Sequence, residues 1–175
     1  AVDARQAHRR EQLAGLLWPD DPESNARRNL RVALYRLRAV IGDQEADPSW
    51  LSVTPETLQL NPDADIEIDV VTFRERVAAV NAHSHDALEP CPPCIERLIE
   101  AAELYQGDLL PAFSLDSALF EAWLVAERET LHRQALEVLD QLAAHHLAQE
   151  AYDKALAYAR RQIALEPWQE GAHRQ

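Results

Sequence analysis

The 175-residue chain has no methionine, only two cysteines and only four glycines, and each shortage removes a class of reading. Without Met, the chain is expected to begin downstream of an initiator, as a piece of a longer protein. Both cysteines fall in one C-x-x-C, Cys91 and Cys94, so there is no disulfide framework of the kind that holds a small secreted domain. The four glycines form no phosphate-cradling loop. No uncharged run approaches the ~20 residues that span a bilayer, and nothing resembles a signal peptide. The expectation is a cytoplasmic protein without membrane contact.

What is present is unevenly charged. The net charge is −13, yet residues 1–41 hold eight Arg against five acids, a local balance of +3 that leaves −16 on the remainder. Phosphate binding depends on a local basic face rather than on the chain total, so the two parts are expected to meet different partners. The length allows one large or two small domains.

"RREQLAGLLWPD" predicts a short helix with Leu13, Leu16 and Leu17 on one side, stopped at Pro19. "SNARRNLRVALYRLRAVIG" predicts a second, longer helix with Ser24 as N-cap and Gly42 as its stop. At about 100° per residue, Leu30, Leu34, Leu37 and Ile41 form the expected buried stripe, with Arg28, Val32, Tyr35 and Arg36 on the far side and Arg31 at its flank. From Ser24 to Ile41 there is no acid. "WLSVTPETLQL" reads as a β-hairpin and "NPDAD" as a boundary. Helix, turn, basic helix and hairpin in this order make a winged helix-turn-helix. Beyond residue 66 the period is helical: "VVTFRERVAAV", then "CIERLIEAAELYQG" closed by Gly107, a loop "DLLPAFSLDS", a long helix over 118–149 and a shorter one over 151–165. Leu142 and Ala143, followed by Tyr152, Ala155 and Tyr158, have the spacing of a tetratricopeptide hairpin, in which small residues let antiparallel helices approach.

The strings "LLWPD", "RRNLRVALYRLR" and "GDLLP", with the helices that follow, resemble the bacterial transcriptional activator domain proteins, both SARP-type and larger ATPase-linked regulators. The resemblance implies a mostly α chain: over residues 1–62 the C-terminal part of an OmpR-like winged-helix DNA-binding domain with a β-hairpin wing, and over 66–175 an all-α, tetratricopeptide-like activator domain that continues beyond the chain. Family members open the first domain with a small sheet and a helix, of which residues 1–7 hold at most the tail.

The expected DNA-binding residues are Arg28, Arg31, Val32, Tyr35 and Arg36 in the groove, with Arg27 and Arg38 placed for phosphates or for acids nearer the core. Guanidinium forks suit phosphate oxygens and the O6/N7 edge of guanine. The acidic helices are expected to meet protein partners, either transcription machinery or other subunits. The competing reading is an interaction scaffold of a larger signalling ATPase, without DNA binding.

"NAHSHDALEPCPPC" places His83, His85, Cys91 and Cys94 within twelve positions. Two imidazoles and two thiolates make a set that suits structural zinc. A redox pair and a plain proline-stiffened loop remain the alternatives. A catalytic zinc would need a general base, for which only Glu89 is near, and there is no H-E-x-x-H. The chain is therefore not expected to be an enzyme.

Overall fold

The computed structural model describes residues 6–84 and 91–165. Among these the chain is mostly helical, with strands β1 (His8–Arg9), β2 (Leu51–Val53) and β3 (Thr57–Leu60) and helices α1 (Arg10–Leu17), α2 (Glu23–Val40), α3 (Asp69–Asn81), α4 (Pro92–Leu104), α5 (Ala118–Ala148) and α6 (Tyr152–Leu165). It divides into two compact units, one of residues 1–71 with 112–126 and another of 72–111 with 127–175.

In the first unit, α1, α2 and the β2–β3 hairpin follow in winged-helix order. Ala26, Leu30 and Leu34, one turn apart on α2, are buried with Ala14 of α1, and Leu13, Leu17, Trp18 and Leu58 close around them. Two expectations for α2 are corrected. The helix starts at Glu23 with Pro22 as N-cap and no side-chain cap bond; the Pro22 carbonyl takes the Asn25 and Ala26 N–H groups, so Ser24 lies inside the first turn. Leu37 does not extend the buried stripe, being 46% exposed. With the half-buried Ile41 it lines an apolar cavity of about 560 Å³ shared with Leu16, Leu51, Leu60 and Trp123, so the stripe leaves the core before the helix ends.

Sequence reading also missed β1. Its two residues pair antiparallel with β3, His8 opposite Leu58 and Arg9 opposite Thr57, so that the sheet runs β1-β3-β2. Two residues are too few for alternation to register. The hairpin lies where the sequence puts it, with Leu51 opposite Leu60 and Val53 opposite Leu58.

In the second unit the buried side chains come from all four helices: Phe73, Val77 and Val80 of α3, Ile95, Leu98 and Ala101 of α4, Leu131, Val138, Leu139 and Leu142 of α5, and Ala155 of α6. Helix α4 ends at Leu104, with Tyr105 as its cap residue and Gly107 two residues later at φ 146°. In the α5–α6 hairpin, the small Ala155 is buried, and Tyr158 stacks on His146 with ring centroids 5.6 Å apart. Burial, with His145 and Lys154 nearby, lowers the His146 pKa below the ordinary 6.5, so the ring is held neutral.

Two helices end in the same hydrogen-bonded turn but with different residues at the left-handed position. After α2, Gly42 has φ 68°, with Gly42 N–H to Ala39 O and Asp43 N–H to Arg38 O. After α5, Glu150 has φ 59°, with Glu150 N–H to Leu147 O and Ala151 N–H to His146 O. Glycine takes this conformation without steric cost and a residue with a Cβ does not. Glu150→Gly is therefore expected to raise stability by about 1 kcal/mol in urea unfolding, and Gly42→Ala, where a Cβ meets open space, to lower it by about as much through the backbone alone.

Candidate functional sites

Helix α2 turns one face to its core and the other outward. On the outward face Arg28, Arg31 and Arg36 are exposed, flanking Val32 at 43% and Tyr35 at 68% exposure. Among the described residues no ion pair involves these three arginines. The other two arginines of the helix are engaged. Arg27 pairs with Glu23 at 2.5 Å and Glu11 at 3.5 Å, and Arg38 pairs with Asp43 at 2.5 Å. The sequence singled out seven positions on this helix, and the fold leaves five of them open to a partner.

Two arginines outside that set join the surface. Arg9 and Arg10 line a cavity of about 600 Å³ with Arg27, Arg31, Glu56 and Thr57, next to the hairpin turn. There Arg10 is held by its N–H to Glu56 O at 2.8 Å and by its Nη1 to Thr54 O at 3.1 Å. Their signal was the pair of basic residues at the start of α1, which the sequence reading counted in the basic balance of residues 1–41 and placed in a helix without assigning them to the DNA-facing set.

Asp43, one residue past Gly42, is fully buried. One carboxylate oxygen accepts from Arg38 Nε and the other from the Leu51 N–H at 2.8 Å, so it joins the end of α2 to the first strand of the hairpin. Burial alone would raise its pKa, but the bonds from Arg38 and from the Leu51 and Trp50 backbone outweigh it and hold the carboxyl below the ordinary 3.8.

In the second unit, three of the four expected metal-ligating residues lie near one another. His83 follows α3, its N–H bonded to Val80 O at 3.2 Å. Cys91 caps α4 in extended conformation and Cys94 is in the first turn. His83 Nδ1 is 3.1 Å from Cys94 Sγ and 3.4 Å from Cys91 Sγ, and the potential ligand atoms of the three residues lie within 4.8 Å of one another. Arg97 Nη1 donates to Cys94 Sγ at 3.8 Å. Burial, then the neighbouring Cys91, push the Cys94 thiol above its ordinary pKa, with Arg97 opposing. His85 lies outside the described residues.

A family model, Bacterial transcriptional activator domain, matches residues 68–175. The chain belongs to this family. The match begins just past the hairpin and takes in α3 to α6 and the His83, Cys91, Cys94 cluster. No curated protein matches the chain. Activator domains of this family are regulatory rather than enzymatic, and no described helix is long and apolar enough to cross a membrane. Within the activator domain, α6 carries Tyr152, Leu156 and Ile163 at 63%, 48% and 68% exposure, spaced so that all three share one stripe.

Because the folded-state pKa of Asp43 is depressed, its contribution to stability is complete above the ordinary carboxylate pKa and is lost as pH falls through the lower folded value. Asp43→Ala is expected to cost about 2–4 kcal/mol at neutral pH, since it strands the Leu51 N–H and the Arg38 guanidinium, which is itself partly solvated. In urea titrations from pH 7 to pH 2 the gap between wild type and variant should narrow in acid. A gap that stays constant contradicts the assignment.

Proposed function

We propose that this chain is the DNA-contacting and partner-contacting portion of a transcriptional regulator, with α2 as the helix that enters the major groove and the β2–β3 hairpin as its wing. The observation that carries the reading is the outward face of α2. Three arginines without ion-pair partners among the described residues flank an exposed valine and tyrosine, on a helix stretch with no acid between Ser24 and Ile41. A merely solvated basic face gains from nearby carboxylates, as Arg27 does. Among the described residues Arg28 and Arg36 pair with no carboxylate, and Arg31 pairs with neither Glu11 nor Glu56 of the cavity it shares with them, which suits an external polyanion. In this reading Arg28, Arg31 and Arg36 reach phosphates or guanine edges, Val32 and Tyr35 supply apolar and polar base contacts, and Arg38 positions the helix through Asp43. Arg9 and Arg10 extend the phosphate-facing surface towards the hairpin.

The activator domain takes the second role. Its net charge, with 18 acids against 9 Lys and Arg over residues 68–175, disfavours DNA and suits a neutral or basic protein, and the Tyr152, Leu156, Ile163 stripe gives a partner an apolar strip to cover. Structural zinc at His83, Cys91 and Cys94 would serve this scaffold and not the DNA contact. The scaffold-only alternative predicts no sequence-selective, salt-dependent DNA binding.

The test is a duplex selected by the protein from random-sequence DNA. Arg36→Ala should weaken binding by about 1–3 kcal/mol and relax preference at one base position. Arg31→Ala, placed for a phosphate, should reduce the slope of log affinity against log salt by about 1. Unchanged affinity and preference in Arg36→Ala sinks the groove assignment, and the absence of any selected sequence favours the scaffold.

A further inference from the structure

We propose that His83 Nδ1, Cys91 Sγ and Cys94 Sγ bind a single zinc ion that clasps the end of α3 to the start of α4. This goes beyond the DNA-contact reading and does not depend on it.

The backbone prepares the two sulfurs. Pro92 and Pro93 fill the first two positions of α4, where a missing N–H costs nothing because no intrahelical acceptor exists for it. The Cys91 carbonyl takes the Cys94 and Ile95 N–H groups at 2.9 and 3.0 Å. The turn that carries C-x-x-C is thus fixed by two rings and two hydrogen bonds, with little freedom left to lose when a ligand binds. His83 is placed by the closing turn of α3, where Ala82 N–H bonds Ala78 O and His83 N–H bonds Val80 O.

The distances favour a shared cation over a chain of thiol hydrogen bonds. Nδ1 has one lone pair and serves one S–H donor well, yet both sulfurs converge on it, at 3.1 and 3.4 Å. Zinc bonds of about 2.3 Å to sulfur and about 2.0 Å to nitrogen at tetrahedral angles require nitrogen-to-sulfur edges of about 3.5 Å. The observed edges are a few tenths shorter, and a small outward movement of the side chains opens the space for the ion. The donors also select the metal: two thiolates and an imidazole are too soft for magnesium or calcium and match zinc.

Two features of the site oppose the burial that raises the Cys94 thiol pKa. The thiolates would sit at the N-terminus of α4, whose dipole favours negative charge, and Arg97 already donates to Cys94 Sγ. Zinc displaces the two thiol protons to solvent, and Zn²⁺ with two thiolates and a neutral imidazole leaves no net charge at a partly buried position. The described residues supply three ligands, so the fourth position is left to water or to a donor beyond them. The proximity of α3 and α4 makes the ion structural in effect, since it closes the connection between two helices of the activator domain.

The experiment uses the full chain, purified reduced and without a histidine tag. Metal analysis should find one zinc per chain. After chelation, one equivalent of Co²⁺ alone should give the visible bands of tetrahedral cobalt together with thiolate-to-cobalt charge transfer. Cys91→Ser and His83→Gln alter half-buried and exposed side chains, so their folding can be checked by circular dichroism. Each should weaken zinc binding by more than the ~10–100-fold that loss of an outer-shell partner costs, and Cys91→Ser should remove about half of the charge-transfer intensity. No cobalt spectrum from the reduced chain, or a spectrum unchanged in both folded variants, overturns the proposal. So does a reduced chain that binds no zinc and readily forms a Cys91–Cys94 disulfide. DNA binding measured on the same samples moves independently, so failure of the zinc site leaves the α2 assignment standing.

Discussion

The organisation of the first unit depends on a carboxylate with no exposure to solvent. Asp43 sits where α2 has stopped and the chain turns towards the hairpin, and its two oxygens take one bond from each side. A buried acid is costly unless both oxygens are used, and here they are. The arrangement also fixes which arginines are available. Arg38 is consumed by Asp43 and Arg27 by the acids beside it, so the cationic character that α2 itself leaves to the surface belongs to Arg28, Arg31 and Arg36. Holding the hairpin and disposing of Arg38 are one act, and the helix that results has a used face and a free face.

The second unit obeys a different constraint. Its interior is mostly aliphatic, with Phe73 and Tyr105 among the buried side chains, residues 68–175 hold 18 acids against 9 Lys and Arg, and several of its polar fastenings tie loops to helices. Arg128 holds the Leu109 and Leu110 carbonyls, where Leu110 takes a positive φ of 49°. Arg161 holds the Tyr105 carbonyl beyond the end of α4. Arg128 and Arg161 thus stabilise irregular backbone, and Arg74 and Arg76 pair with Glu127 and Glu100, so four of the basic residues of this half are engaged within it. A scaffold so fastened, with an apolar stripe on α6, fits the regulatory family to which the chain belongs.

Sequence reading went furthest where one residue decides the conformation. Gly42 marks the end of α2 because only glycine takes its φ without strain, and Leu30 and Leu34 mark the core because they recur one helical turn apart. It stopped short where tertiary context decides. Nothing local distinguishes Leu34 from Leu37, yet one is buried and the other lines an open cavity. Asp43 reads as an ordinary acid in a turn, and only the return of Leu51 beneath it shows that it is a buried acceptor. The His/Cys segment was legible as composition. That His83 meets both cysteines follows from how α3 ends and α4 begins, which no spacing rule supplies. Glu150 shows the reverse case: a residue in a glycine's position, invisible to a search for glycine.

The central claim is that α2 presents its free face to DNA while the activator domain does not. Amide and guanidinium resonances of the ¹⁵N-labelled chain, followed during titration with a duplex it has selected, test this most directly. The account predicts shifts concentrated at Arg28, Arg31, Val32, Tyr35 and Arg36 and at the hairpin turn around Thr54 to Thr57, with residues of α4 to α6 undisturbed. Shifts confined to α5 and α6, or an undisturbed α2 at saturating DNA, would contradict it.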